Sequence, residues 1–211
     1  MDRTSFWEQS YRNADRERLL GYLSAYKDAQ IEEIGIFRDV GIRTVCDAAC
    51  GFGAYTLALA SNGFAVKAFD VSESAVRIAR EGLLRFGYDV EFRVADVLHT
   101  GYEDGAFDGV FAHSVLDHMT VRDAERALAE LFRIVRTGGL LLVSFDTVDA
   151  DDYRLPHEVL PDGSILYTDG VRSGMVLHPH DRASIRNLVR GREIVHESVN
   201  RKGEQIVILK K

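Results

Sequence analysis

From residue 43 onward, short apolar runs alternate with stretches of helical period. The runs Arg43–Ala48, Ala65–Asp70, Val90–Val94, Phe107–Ala112 and Leu140–Phe145 read as strands. Between them, Ala54–Ser61 reads as a helix closed by Asn62-Gly63, and Ser74 to Phe86 as a helix with Gly87 beyond its end. Thr120-Val-Arg-Asp123 has the form of a capping box and opens a helix running to Val135; Gly138-Gly139 then turns the chain into the fifth strand. Strands that are apolar throughout are covered on both faces, and their alternation with helices implies a parallel sheet.

The two ends read differently. Upstream, Leu19, Leu20, Leu23, Tyr26, Ile34 and Phe37 recur at roughly helical spacing, predicting one long amphipathic helix over 15–38. Downstream, Ile194–Val199 and Gln205–Leu209 alternate and are joined by Asn200-Arg-Lys-Gly203, the pattern of an antiparallel hairpin. The segment from Asp146 to His180 carries turn signals at Pro161-Asp-Gly163 and Asp169-Gly170, predicting two or three short strands laid over one edge of the sheet. The expected fold is α/β: a doubly wound, mostly parallel seven-stranded sheet with an antiparallel C-terminal hairpin strand, helices on both faces and a small β insertion after strand five. It is expected as a single domain over 1–211, with a helical cap at 1–40 and the insertion at 146–180 as a lid over the active site.

Composition narrows the function classes. The 211 residues are 46% hydrophobic and 28% charged, as in ordinary soluble domains, and no apolar run is long enough to span a bilayer. The polar, charged N-terminus predicts no secretory or transit peptide. A formal charge of −7, from 26 basic and 33 acidic residues, speaks against nucleic acid as a partner, since that requires a surplus of Lys and Arg. Arg77, Arg80 and Arg85 read as a solvated helix face. Cys46 and Cys50 are too few for a disulfide framework and read as buried, reduced thiols of a cytoplasmic protein.

The chemistry concentrates at strand ends. Val45-Cys-Asp47-Ala-Ala-Cys50-Gly51-Phe-Gly53 occupies the turn after the first strand, where glycine lets backbone approach a ligand and open α/β sheets take nucleotides. Asp70 ends the second strand, placed to accept from both hydroxyls of a ribose at about 1.5–3 kcal/mol per bond. Asp96 follows the third strand, where it could accept from an adenine amino group. Each acid alone reads as a solvated turn residue, but three at successive strand ends make that improbable.

With these motifs the chain resembles the class I S-adenosylmethionine (SAM)-dependent methyltransferases of the small-molecule type, closely over residues 43–145. Val45–Gly53 is similar to that family's cofactor loop, Phe69-Asp70-Val71-Ser72 to its ribose-binding strand end and Ala95-Asp96-Val97 to its adenine-contacting one. Phe107-Asp108-Gly-Val-Phe111 resembles its fourth strand, and Leu128 to Gly139 the helix and turn leading to the fifth. The resemblance implies SAM as cofactor, with Asp47, Ala49, Gly51 and Gly53 at the methionine end and Asp70, Val71, Asp96 and Val97 at the adenosine. Ala49 departs from the usual glycine and is tolerable there at negative φ. Tyr11, in the aromatic segment Phe6-Trp7-Glu8-x-x-Tyr11, is implied as a further cofactor contact.

After strand four, Ala112-His113-Ser114-Val-Leu-Asp117-His118-Met119 lies beside the reacting centre in that family. His113, Asp117 and His118 are therefore the candidates for orienting or deprotonating a small-molecule acceptor, with His113 also touching the cofactor. The acceptor nucleophile is expected to be nitrogen or oxygen, and the acids and aromatics of the insertion would suit an amine. No Asn/Asp-Pro-Pro-aromatic motif occurs, and both cysteines lie at strand one, which exclude base amino-methyl and cytosine-C5 transfer. No metal is expected: His178-Pro-His180-Asp181 is read as an extended segment with its rings on opposite faces, Asp181 capping a helix over Arg182–Val189. Two rivals stand beside this reading. A nicotinamide-dependent oxidoreductase lacks its third glycine, since Thr56 stands there; a non-catalytic SAM-binding module, a homodimer joined through the insertion, would bind without turnover.

Overall fold

In the computed structural model, which describes residues 3–27 and 29–211, the strands form where the short apolar runs place them. β1 (Thr44–Ala48), β2 (Ala65–Asp70), β3 (Glu91–Val94), β4 (Phe107–Ala112) and β5 (Val135–Phe145) run parallel. β10 (Gln205–Lys210) adds antiparallel to β5, and β9 (Glu193–Val199) antiparallel to β10. The seven-stranded order is β3-β2-β1-β4-β5-β10-β9. Strand order reverses between β1 and β4, and the chains leaving their carboxyl ends part to opposite faces, which opens a crevice.

Successive residues on each strand feed the two faces alternately. Cys46, Val110, Leu141 and Val207 pack under α6 (Val121–Ile134) and α7 (Arg182–Leu188). Val45, Phe111, Leu142 and Ile208 pack under α3 (Glu32–Asp39) and α4 (Ala54–Ser61). α5 (Glu73–Arg85) joins α4 and α2 (Arg16–Lys27) over Ala68 and Phe92. Helix starts are fixed by side chains: Ser72 accepts from the Ala75 N–H at 3.0 Å, Thr120 from the Asp123 N–H at 3.3 Å, and Asp181 from the Ser184 N–H at 2.7 Å. Asp181 therefore caps α7 as its sequence position predicts.

Three expectations are corrected. The single helix over 15–38 is two helices, α2 and α3, with Ala29–Ile31 between them in no helix; Asp28 lies outside the described residues. The reason lies in the destinations of its apolar residues. Leu20 and Leu23 pack on α4 and α5, whereas Ile34 and Phe37 pack on the sheet, and one straight stripe cannot serve both. β5 begins at Val135, so Gly138-Gly139 is a kink inside a strand rather than a turn before it; the β4–β5 register shifts between Phe107 and Gly109. A Cβ at Gly139 would run into the Asp108 carbonyl.

The third concerns the insertion. It forms three antiparallel strands, β6 (His157–Val159), β7 (Ile165–Tyr167) and β8 (Val176–Leu177). Its apolar face joins Ile165, Tyr167, Met175 and Leu177 to Phe6 and Trp7 of α1 (Arg3–Arg12), not to an edge strand of the large sheet. The His178 N–H also donates to the Asp117 carbonyl at 2.7 Å, which ties the insertion to the segment after β4.

Candidate functional site

At the crevice lies a cavity of about 310 Å³, within the range of small-ligand sites. Tyr11, Asp47, Ala49, Gly51, Asp70, Val71, Asp96, Val97 and His113 all line it. Gly53 does not. It stands at the N-terminus of α4 at φ 90°, and a Cβ there would press on Ala79 and Leu83 of α5 at 3.0 Å. Its lack of a side chain serves helix packing rather than the cavity.

The loop after β1 is built from left-handed residues: Ala49, Gly51 and Gly53 have φ of 54°, 54° and 90°. Ala49 thus occupies the conformation its methyl tolerates least, contrary to the negative φ anticipated for it. An L-residue there carries about 1–2 kcal/mol of strain, held by the Cys50 N–H donating to the Phe69 carbonyl at 2.9 Å. At Gly51 a Cβ would collide with the Tyr11 hydroxyl, so α1 closes directly onto the loop. Cys46 is fully buried, but Cys50 is only half-buried at the cavity wall, a correction to the reading of both as interior thiols.

The acids are held in distinct ways. Asp47 is buried and accepts from the Thr56 hydroxyl at 2.5 Å; burial pushes its carboxyl up to about 7. Asp70 accepts the Gly51 N–H through Oδ2 and the Ser72 N–H through Oδ1, both at 2.9 Å. Burial also raises Asp70, against the pull of those backbone donors. Each of its oxygens keeps a second acceptor direction. Asp96 Oδ1 accepts the Leu98 N–H at 2.9 Å.

Glu8, quoted in the N-terminal motif without a role, latches α1 in place. Its carboxylate accepts from the Ser74 N–H at 3.0 Å and from the Ser72 and Ser74 hydroxyls at 2.8 Å. The Ser74 N–H, followed by those hydroxyls and Arg12, holds its carboxyl down at about 2 against partial burial. A carboxylate at the N-terminal turn of α5 is also favoured by the helix dipole.

The residues after β4 separate. His113 and His118 line the cavity; Asp117 is fully buried behind it. The short helical turn Leu116–His118 rotates neighbouring side chains apart, and Asp117 Oδ2 instead accepts the Asp146 N–H at 3.0 Å. Asp117 is therefore removed from direct contact with an acceptor. His113 stacks on Tyr55 with ring centres 4.1 Å apart, and its Nε2 lies 2.7 Å from the Tyr55 hydroxyl and 3.4 Å from Glu204 Oε2. That contact, with Asn200, holds Glu204 below the usual carboxylate range. His118 meets Trp7 edge-on at 5.1 Å.

Sequence reasoning missed Tyr55, Tyr26, Lys202 and Met119 as cavity residues and Glu204 and Asp146 as partners of its histidines. Tyr55 carries a signal in hindsight, because a polar aromatic in the first turn after the loop points back toward the strand ends. His178 and His180 overturn the reading that sent them to opposite faces, since their rings meet edge to face with centres 4.4 Å apart. Residues two apart in extended chain share a face. They stand apart from the cavity lining, with burial lowering both and His180 to about 4.

Among the described residues, no helix is long and apolar enough to cross a membrane. Residues 46–143 match the family described as a methyltransferase domain. The chain is 34% identical over 103 residues to the methyltransferase GfsG of Streptomyces halstedii, covering 47% of this chain and 36% of that one. It is 31% identical over 114 residues to the ubiquinone biosynthesis O-methyltransferase of Thiobacillus denitrificans, covering 54% and 48%. The chain thus spans half or less of the length of these relatives. Among solved structures, 1,6-didemethyltoxoflavin-N1-methyltransferase from Burkholderia thailandensis, with S-adenosylhomocysteine bound, superposes with a TM-score of 0.66 at 19% identity, covering 97% and 90%. At that identity the likeness is one of fold.

Proposed function

We propose that this chain, whose residues 46–143 match a methyltransferase domain, moves a methyl group from SAM to the nitrogen or oxygen of a small-molecule acceptor as a class I, SAM-dependent enzyme. The observation that carries the reading is the convergence of Asp47, Asp70 and Asp96, from three strand ends, on one cavity beside a left-handed loop. The residues fit the cofactor: the cradle at Gly51 is too close for a side chain, and buried Asp47 lacks a cationic partner among the described residues.

When bound, SAM supplies a methyl group already activated for in-line displacement by its sulfonium. The chain's residues then have to bind, align and keep out water. Asp47, with Ala49, Gly51 and Tyr11, would receive the methionine end, where a cationic ammonium draws the Asp47 carboxyl into its charged form. The unused acceptor directions of Asp70 would take the ribose hydroxyls, with Val71, Asp96 and Val97 around the adenine. Trp7 and Tyr11, latched by Glu8, would close over the cavity, and positioning of this kind is worth about 7–11 kcal/mol. His118 is the candidate to orient or deprotonate the acceptor. His113, engaged with Tyr55, shapes the opposing polar wall. The insertion, packed on Phe6 and Trp7, would act as the lid. The free thiols of Cys46 and Cys50 favour a reducing, cytoplasmic setting.

The test is transfer of isotopically labelled methyl from SAM to panels of amines and hydroxyl compounds. The reading expects label in one acceptor class with matching S-adenosylhomocysteine, and His118→Ala lowering kcat by at least about tenfold with little change in SAM affinity. SAM binding with no transfer to any acceptor would support the non-catalytic module instead.

A further inference from the structure

Asp117, His118 and Asp146 meet where the segments following β4 and β5 come together, behind the cavity wall that His118 forms. One carboxylate oxygen from each aspartate and one ring nitrogen of His118 lie within 4.8 Å of one another. Ligands facing each other across a hard divalent ion stand about 4–5 Å apart. The trio therefore encloses a space that an ion would fill.

Two atoms of this group have nothing to bond. Asp117 is 0% exposed and its Oδ1 meets no donor; His118 Nδ1 is likewise buried without a partner, both among the described residues. The rest of the group is braced. Asp117 Oδ2 takes the Asp146 N–H, turning the carboxylate toward the Asp146 segment. Asp146 Oδ1 accepts from the Ser114 hydroxyl at 2.6 Å, and its Oδ2 lies 3.9 Å from His118 Nε2. Ser114 adopts φ 51°, a strained conformation for a serine, with its own N–H donating to the Ser144 hydroxyl at 2.9 Å. No Lys or Arg among the described residues forms an ion pair with either aspartate.

We propose that Asp117, His118 and Asp146 bind a divalent cation, and that this cation holds an acceptor bearing adjacent oxygen atoms against the cavity. Two carboxylates and one imidazole suit an ion of the Mn²⁺ or Mg²⁺ type, which takes oxygen with an occasional nitrogen. Three protein ligands leave about three positions of an octahedron for water and acceptor oxygens. A hydroxyl bound there is acidified and releases its proton to water, so that His118 orients the acceptor through the cation rather than taking that proton, and the acceptor nucleophile is oxygen. The acceptor half rests on the methyl-transfer reading; the cation site does not.

The experiment uses the full chain stripped with EDTA and titrated with Mn²⁺, with free Mn²⁺ read by electron paramagnetic resonance and SAM binding read separately by calorimetry. The proposal expects one Mn²⁺ per chain with a dissociation constant below about 1 mM. Asp117→Asn and Asp146→Asn should each weaken it by at least about tenfold while SAM binding persists. Asp146 is partly exposed, so its variant remains informative if the buried Asp117→Asn does not fold. Bound Mn²⁺ should broaden the proton signals of catechol as a probe acceptor. No bound Mn²⁺, or equal binding by the Asp146→Asn chain, would overturn the site; Mn²⁺ without catechol broadening would overturn the acceptor half. Mn²⁺ binding with no SAM binding would leave the cation site standing and refute the methyl-transfer reading.

Discussion

Asp47→Asn should make the ligand-free protein more stable at pH 8 while crippling SAM binding. In the folded chain, burial moves the Asp47 carboxyl from an ordinary 3.8 to about 7. Between those values the native state holds a proton that the unfolded chain releases, so wild-type stability falls as pH rises across the window. Three pH units at 1.36 kcal/mol each set an upper bound of about 4 kcal/mol. Asparagine keeps an acceptor for the Thr56 hydroxyl and does not titrate. The advantage of the variant should be near zero at pH 4 and grow to about 2–4 kcal/mol at pH 8, or roughly 5–15 °C in Tm. Loss of a charge-assisted contact to SAM should cost about 1.5–3 kcal/mol, or 10- to 150-fold in affinity. Urea unfolding from pH 4 to 8, with calorimetry at pH 8, reads both. A variant less stable than wild type at pH 8, or a difference independent of pH, would refute the reasoning.

Three further outcomes follow from the same geometry. Asp70→Ala should weaken SAM binding at least about tenfold and, because it also frees the Gly51 and Ser72 N–H groups, cost about 1–3 kcal/mol of stability; unchanged affinity by calorimetry would contradict the ribose placement. Glu8→Ala should speed hydrogen exchange in α1 by about 10- to 100-fold without affecting the sheet, since three bonds to Ser72 and Ser74 are lost. The same latch should be at full strength above the unfolded value of 4.5 and fail as pH falls through about 2; unaltered α1 protection in the variant would remove its role. Ala49→Gly should be neutral or stabilising by up to about 1 kcal/mol in urea melts, whereas a loss that large would show that φ 54° carries no strain.

What the sequence discloses follows from the range of the interaction. The parallel strands are legible because each is a short, largely apolar run, and Asp47, Asp70 and Asp96 are legible because each sits at or beside the end of one. The break between α2 and α3 is hidden because Leu23 and Phe37 keep helical spacing while packing on different layers. Asp117 and His118 are adjacent in the chain, but one tight turn sends only His118 to the cavity. Tyr55 reaches His113 across 58 positions, and Glu204 and Asp146 arrive from separate strand ends. No local pattern encodes those meetings. Ala49 misleads for another reason: side-chain identity argues for negative φ, while the reversal after β1 demands the opposite.

The central claim, that this cavity binds SAM, is tested most directly by thermal unfolding with SAM, S-adenosylhomocysteine, NAD or buffer alone. At a hundredfold excess over the dissociation constant, a ligand adds about 2.7 kcal/mol, or roughly 5–10 °C for a chain of this length. Shifts of that size with both adenosyl ligands and none with NAD are predicted. A shift with NAD alone, or with none of the three, would contradict the account.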